Sequence, residues 1–218
     1  MSKLTFYDDI NLSEPDPLLI DSGGYWGLTP HLSQMTYQSA LIFTEDECKK
    51  IIKLGKRFQA VESQLGDGRV NEKIRSSNQS WIPPNNITQW LYEKISNAVK
   101  SANSEFYQLD LVSLEHLQFT EYHSNKKGHY SKHIDMHHNA NTPNLFRKLS
   151  FSVQLSHSHS YEGGDLITYF DGIENGEFAK RDLGSMSFFP SFALHEVTPT
   201  TKGVRYSLVG WASGPRLK

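Results

Sequence analysis

Two hydrophobic rhythms divide the chain. Between residues 44 and 102 apolar side chains recur at three- and four-residue intervals, whereas from about residue 111 they alternate with polar ones. In the first region Cys48, Ile51, Ile52 and Gly55 fall on one helical face and the lysines and arginines on the other. Thr44, with Glu47 three residues on, has the form of a capping box and sets the start of that helix. Pro83-Pro84-Asn85-Asn86 opens a second helix whose stripe is Ile87, Trp90, Leu91, Ile95 and Val99, a spacing that means core packing. Ahead of the first helix, Ser39-Ala40-Leu41-Ile42-Phe43 reads as a short strand. The polar stretch 61–80, around Gly66-Asp67-Gly68, reads as a mobile loop or a hairpin.

Strands are predicted over 111–122, 149–157, 165–170, 185–189, 195–198 and 204–211. Turn signals separate them, among them Gly163-Gly164, Asp171-Gly172, Gly184, Pro190-Ser191 and Lys202-Gly203. Two helices followed by many short strands predict an α+β chain, mainly β, with helices buttressing one face of a β-sandwich or jelly roll. Residues 1–38 carry Pro15, Pro17, Pro30 and Gly23-Gly24 and no regular pattern, so they read as an N-terminal arm. The remainder, 39–218, reads as one domain, with helical support over 44–102 and a strand core over 111–212.

Composition narrows the class. Hydrophobic residues at 37% and aromatics at 12% suffice for a packed core in 218 residues, which excludes wholesale disorder. A net charge of -2 leaves no basic footprint for nucleic acid. No stretch reaches the apolar length of a membrane span, and MSKLTFYDDI lacks the apolar core of a signal peptide. Cys48 is the sole cysteine, so no intrachain disulfide forms, which fits a reducing cytoplasm as the expected location. Oligomeric state is not legible. The ten histidines are the oddity, most of them between His123 and His195.

His133-Ile134-Asp135 gathers the chemistry. On an extended strand, residues two apart point the same way, so an imidazole and a carboxylate converge. One further histidine would complete a two-histidine, one-carboxylate facial set with open positions, the arrangement suited to Fe(II). His137 could share the same strand face, His138, His157 and His159 are further candidates, and His195 opens a late strand. Ten residues after His195, Arg205 interrupts the apolar strand Gly203-Val204-Arg205-Tyr206-Ser207-Leu208-Val209-Gly210-Trp211. An inward arginine needs an anion, and its planar fork matches a carboxylate. A metal site and an arginine on a neighbouring strand look like the two ends of a pocket for a small dicarboxylate.

In this pattern the chain resembles the Fe(II)- and 2-oxoglutarate-dependent dioxygenases, within them the prolyl 4-hydroxylase branch. The likeness rests on His133-Ile134-Asp135, His195 and Arg205. It extends to Leu117-Gln118-Phe119-Thr120-Glu121-Tyr122, Tyr130, Gly163-Gly164-Asp165-Leu166, Phe188-Phe189-Pro190-Ser191 and Trp211. Ile74 to Ile82 is similar to a substrate-closing loop of oxygen-sensing prolyl hydroxylases. The resemblance implies a double-stranded β-helix, or jelly-roll, core. It implies His133, Asp135 and His195 as Fe(II) ligands and Arg205 on the distal carboxylate of 2-oxoglutarate. Tyr122, Gln154 and Ser207 would lie around the cosubstrate, and Tyr130, Trp211, Arg147 and Arg75 near the prime substrate. The chain departs from the oxygen-sensing enzymes where Gln154 replaces a cosubstrate-binding tyrosine and Ser77 an acidic loop residue.

The implied reaction uses O2, decarboxylates 2-oxoglutarate to succinate and hydroxylates a C–H bond, with ascorbate as a reductant. Retention of Asp135 favours hydroxylation over halogenation, because halogenating relatives lack that carboxylate. The implied acceptor is a prolyl residue of a peptide or protein. Rival readings are a free amino acid or small peptide metabolite as acceptor, which loops 61–80 and 137–148 would decide, and a cupin-like metal binder without turnover. Arg205 and Tyr122 speak against the last, since a metal binder needs no dicarboxylate pocket.

Overall fold

The computed structural model describes residues 36–216 except 40, 59–60, 63–70, 72, 137, 140–141 and 172–173. β1 (Tyr37–Ser39) leads into α1 (Glu45–Arg57). β2 (Val61–Glu62), β3 (Arg75–Ser76) and β4 (Asn78–Ile82) precede α2 (Gln89–Ala102). Then come β5 (Ser113–Leu114), β6 (Leu117–His123), β7 (His129–His133), β8 (His138–Asn139) and β9 (Thr142–Gln154). β10 (Tyr161–Gly163), β11 (Leu166–Asp171), β12 (Asn175–Phe178), β13 (Met186–Pro190), β14 (Leu194–Val197) and β15 (Thr200–Gly214) complete the chain. The larger sheet runs β1-β13-β9-β15-β6-β4-β2, with β5 and β10 on β15 and β8 on β9. The smaller runs β12-β11-β14-β7-β3. All described pairings are antiparallel, and the two sheets form a double-stranded β-helix.

Both helices cover the outer face of the larger sheet. Thr44 caps α1 as its sequence demands: Thr44 Oγ1 accepts from the Glu47 N–H at 3.3 Å, and Glu47 Oε2 accepts from the Thr44 N–H at 2.8 Å. The buried face of α1 is Cys48, Ile51, Leu54 and Gly55, and that of α2 is Leu91, Ile95, Val99 and Ala102. They pack on Leu117, Phe119, Leu149, Phe151, Val153 and Leu208. Alternation sends the intervening residues, Gln118, Tyr122, Ser152, Ser207, Val209 and Trp211, to the opposite face, where they line a cavity. Helices outside and a polar cavity inside explain why fully buried strands still alternate apolar with polar.

Gly55 marks the closest helix–sheet approach, for a Cβ there would stand 2.2 Å from Phe119 Cγ. Alanine gains about 1 kcal/mol of helix propensity, but the Phe119 ring is 2% exposed and has nowhere to go. Gly55→Ala is therefore expected to lower stability on balance, by an overpacking cost of about 1–3 kcal/mol less that gain, read as a reduced midpoint in urea.

Several expectations need correction. The strand expected over 39–43 is β1, earlier in the chain and paired with β13, and Leu41 instead sits at φ 50 in an irregular connection. Ile87 is off the α2 stripe: it precedes the helix and is 65% exposed. The single strand expected over 111–122 is two, β5 and β6. Of the stretch 61–80, β2 pairs with β4 in the larger sheet, while β3, between them in sequence, joins the other sheet through β7. The arm expected over 1–38 lies outside the described residues up to residue 35.

Candidate active site

His133 and His195 are direct cross-strand partners on β7 and β14, so both imidazoles leave the same sheet face, with ring centroids 4.1 Å apart. Asp135 arrives differently from the expected shared strand, because β7 ends at His133. Its backbone N–H donates to Ser191 O at 2.9 Å, which bends the chain over the β13–β14 turn. Ser150 Oγ, on β9, donates to Asp135 Oδ2 at 2.8 Å and bonds Ser191 Oγ at 2.9 Å. Both serines lie on or next to strands of the larger sheet, which thus grips a residue that leaves the smaller one.

Each imidazole is oriented by a backbone carbonyl two residues earlier. His133 Nδ1 lies 2.8 Å from Ser131 O and His195 Nδ1 2.9 Å from Ala193 O. A carbonyl only accepts, so Nδ1 carries the proton and Nε2 is turned to the centre. There His133 Nε2 is 3.6 Å from Asp135 Oδ1 and His195 Nε2 is 3.4 Å from Asp135 Oδ2. A donor atom from each residue lies within 4.8 Å of the others. Burial pushes His133 down to about 3, and the charge of His195 adds to it. Burial would raise Asp135, but His195 and then His133 hold its carboxyl below the ordinary range. Burial likewise opposes His195, and Asp135 outweighs it, so that imidazole is raised. A cation held between these groups would satisfy all three, in competition with protons on the two imidazoles. Two imidazoles and one carboxylate on a single side, with the other side open, fit Fe(II).

Across the cavity stands Arg205 of β15, only 4% exposed. Among the described residues no carboxylate or hydrogen-bond acceptor meets its guanidinium, whose nearest aromatic neighbour is the Tyr122 ring at 5.5 Å. Gly164, at φ 62, makes room for it: a Cβ there would lie 3.2 Å from Arg205 Cδ. Ser207 Oγ and Gln79 Oε1 are also buried without partners, and buried Trp211 Nε1 acts only on the Asp135 carboxylate. All four residues line one cavity of about 300 Å³, together with His133, Asp135 and His195. Unsatisfied buried polar groups are rare in proteins. Their concentration beside a metal-type cluster describes a pocket built for an anionic, hydrogen-bonding ligand.

Residues 117–213 match the model of the 2OG-Fe(II) oxygenase superfamily, a span that contains the triad, Tyr122 and Arg205. The stretch that carries the site is thus similar to that superfamily. A PKHD-type hydroxylase of Gloeothece citriformis is 39% identical over 83 residues, covering 38% of this chain and 36% of the relative. The matched stretch thus spans about a third of that relative's length. A prolyl-4-hydroxylase of Pseudomonas putida shares the fold with a TM-score of 0.66 at 18% identity, over 91% of this chain and 98% of that one. A prolyl hydroxylase of Trichoplax adhaerens, solved with a peptide fragment of the hypoxia inducible factor, gives 0.67 at 16% identity, over 83% and 84%.

Around this site, Tyr122, Ser207, Tyr130, Trp211, Arg147 and Arg75 all line the cavity. Tyr130 stacks on His133 with centroids 3.4 Å apart, and the Arg75 guanidinium carbon lies 4.4 Å from the Tyr130 ring centre. Gln154 is not among the lining residues. Its amide donates to Ser156 O and Tyr161 Oη, both at 2.9 Å, so that donor group is already engaged. His137 lies outside the described residues, as does part of each of the loops 61–80 and 137–148. Sequence reasoning missed Ser150, Ser191 and Glu115. The run Leu149-Ser150-Phe151-Ser152-Val153 did mark Ser150 as facing opposite the apolar core, whereas nothing marked Glu115. No helix among the described residues is long and apolar enough to cross a membrane.

Proposed function

We propose that this protein is an Fe(II)- and 2-oxoglutarate-dependent dioxygenase that hydroxylates a C–H bond, with a prolyl residue of a peptide or protein as acceptor. The observation that carries the reading is the buried, unpartnered Arg205 in the cavity of the triad. Neither a bare metal site nor a stability role explains an uncompensated buried guanidinium. Iron, 2-oxoglutarate and O2, when bound, would supply the oxidising chemistry.

The chain's own residues bind and orient. His133, Asp135 and His195 would hold the metal, with both histidines presenting Nε2. Arg205 would clamp the far carboxylate of the cosubstrate through its fork, with the free Ser207 hydroxyl beside it. Leu166, Phe189 and Val197 form an apolar wall that keeps water from the centre. Ascorbate would serve as an external reductant.

The peptide acceptor is supported by the likeness to prolyl hydroxylases, one of them solved with a peptide. It is also supported by the rim, where Trp81 is 39% and Ile134 53% exposed. Such apolar surface suits a substrate that continues beyond the cavity. The test is a screen of proline-containing peptides and free amino acids, read by succinate release and by mass spectrometry. Products one oxygen heavier are expected on peptides. Turnover confined to a free amino acid would replace the acceptor, and no succinate with any compound would favour a metal binder without turnover.

A further inference from the structure

Arg147 reaches the cavity through an irregularity. β9 and β15 pair as Ala212↔Leu149 and then Ser213↔Arg147, so Lys148 has no opposite residue. A bulge of this kind re-aims the next side chain, and here it turns Arg147 to the inner face. There one edge of the Arg147 guanidinium is engaged. Its Nε donates to Glu115 Oε1 and Oε2, both at 3.0 Å, and Nη2 donates to Oε2 at 2.7 Å. Ser213 Oγ donates to Glu115 Oε1 at 3.0 Å, and the Glu115 N–H donates to Trp211 O at 2.9 Å. Both side chains are almost buried, at 12% and 10%. The guanidinium carbon lies 3.7 Å from the Trp211 ring centre.

Trp211 is the member that faces the metal site. It is the register partner of Ser150, whose hydroxyl holds Asp135. Its Nε1–H is buried, meets no acceptor at full hydrogen-bond geometry, and acts on the Asp135 carboxylate, which it helps to hold below its ordinary range. Trp81 flanks the indole on another side, with centroids 6.1 Å apart. A planar guanidinium pinned by a carboxylate is a rigid plate, and a plate on the indole face fixes the ring's tilt.

We propose that Glu115 is a positioning residue: it locks Arg147 flat on Trp211 and so holds the indole N–H at the metal-site end of the cavity. The same bond neutralises Arg147, which is thereby withheld from anionic groups of a substrate. This rests on the oxygenase reading only for what the indole N–H faces. The lock itself is a property of the metal-free fold, so its failure and the failure of that reading are separate results.

Solvent exchange of the indole N–H protons, followed by NMR in the metal-free full chain, tests it. Trp211→Phe assigns the signal, and Trp90, buried in the remote helix layer, reports whether the fold survives. Glu115→Gln is expected to speed exchange at Trp211 at least tenfold and leave Trp90 unchanged. Arg147→Lys keeps a cation beside Glu115 but removes the plate, and is expected to act alike. A purely structural ion pair would change neither signal, or both together. Exchange at Trp211 within twofold of wild type in a folded Glu115→Gln protein overturns the proposal. If Glu115→Gln loses the Trp90 signal, Arg147→Lys decides by the same criterion.

Discussion

Arg205→Leu is expected to weaken 2-oxoglutarate binding by two orders of magnitude or more while leaving metal binding within a few-fold of wild type. The guanidinium is buried, unpartnered within the described chain and aimed into the triad's cavity. Removing one member of a buried charge pair costs about 3–5 kcal/mol, and every 1.4 kcal/mol is about tenfold in affinity. Leucine fills a similar width without charge, and in the ligand-free state it relieves an uncompensated cation. The variant should therefore be as stable as wild type or more so, which separates lost binding from lost folding. Arg205→Lys keeps the charge but not the fork and should fall between the two. Calorimetric titration of the Mn(II)-loaded protein measures the affinities, and urea denaturation measures the stabilities. Unchanged 2-oxoglutarate affinity in Arg205→Leu would remove the pocket assignment.

The second large effect is at His195. Its imidazole is 4% exposed, oriented by Ala193 O and within 3.4 Å of Asp135. His195→Ala takes away one of the three residues proposed to hold the metal, and the loss should exceed the roughly 10–100-fold typical of an outer-shell partner. Metal affinity, measured against a chelating dye, should fall by about a hundredfold or more. Turnover of 2-oxoglutarate should fall to background. His137→Ala should keep most of both. The reverse ranking would move the third ligand to His137.

How far these features are legible in the sequence depends on how local their causes are. The capping box at Thr44 and Glu47 is a four-residue device, and it forms as written. The stripe of α2 is set by its own periodicity except at Ile87, which precedes the first turn. The alternation Leu149-Ser150-Phe151-Ser152-Val153 carried both sheet faces, since one side meets helices and the other a polar cavity. β7 was opaque, because His129-Tyr130-Ser131-Lys132-His133 has no apolar alternation and is defined by its neighbours β3 and β14. The meeting of His133 with His195 was suggested by the spacing to Arg205 and by family texture. The way Asp135 gets there, through the backbone of Ser191, is long-range and has no sequence signal. Arg147 and Gln154 differ for a comparable reason. A single bulge turns Arg147 onto the cavity face and into the grip of Glu115. Gln154, on the same strand, has its amide engaged by Tyr161.

The most direct test of the account is an anaerobic titration of the iron-loaded wild-type protein with 2-oxoglutarate, followed by visible absorption. A cosubstrate held by Arg205 while bound to the triad metal gives a weak charge-transfer band. That band should appear, saturate at one equivalent per chain, and be missing in Arg205→Leu at the same concentrations. A folded, iron-loaded wild-type protein that develops no band at saturating 2-oxoglutarate would contradict the account.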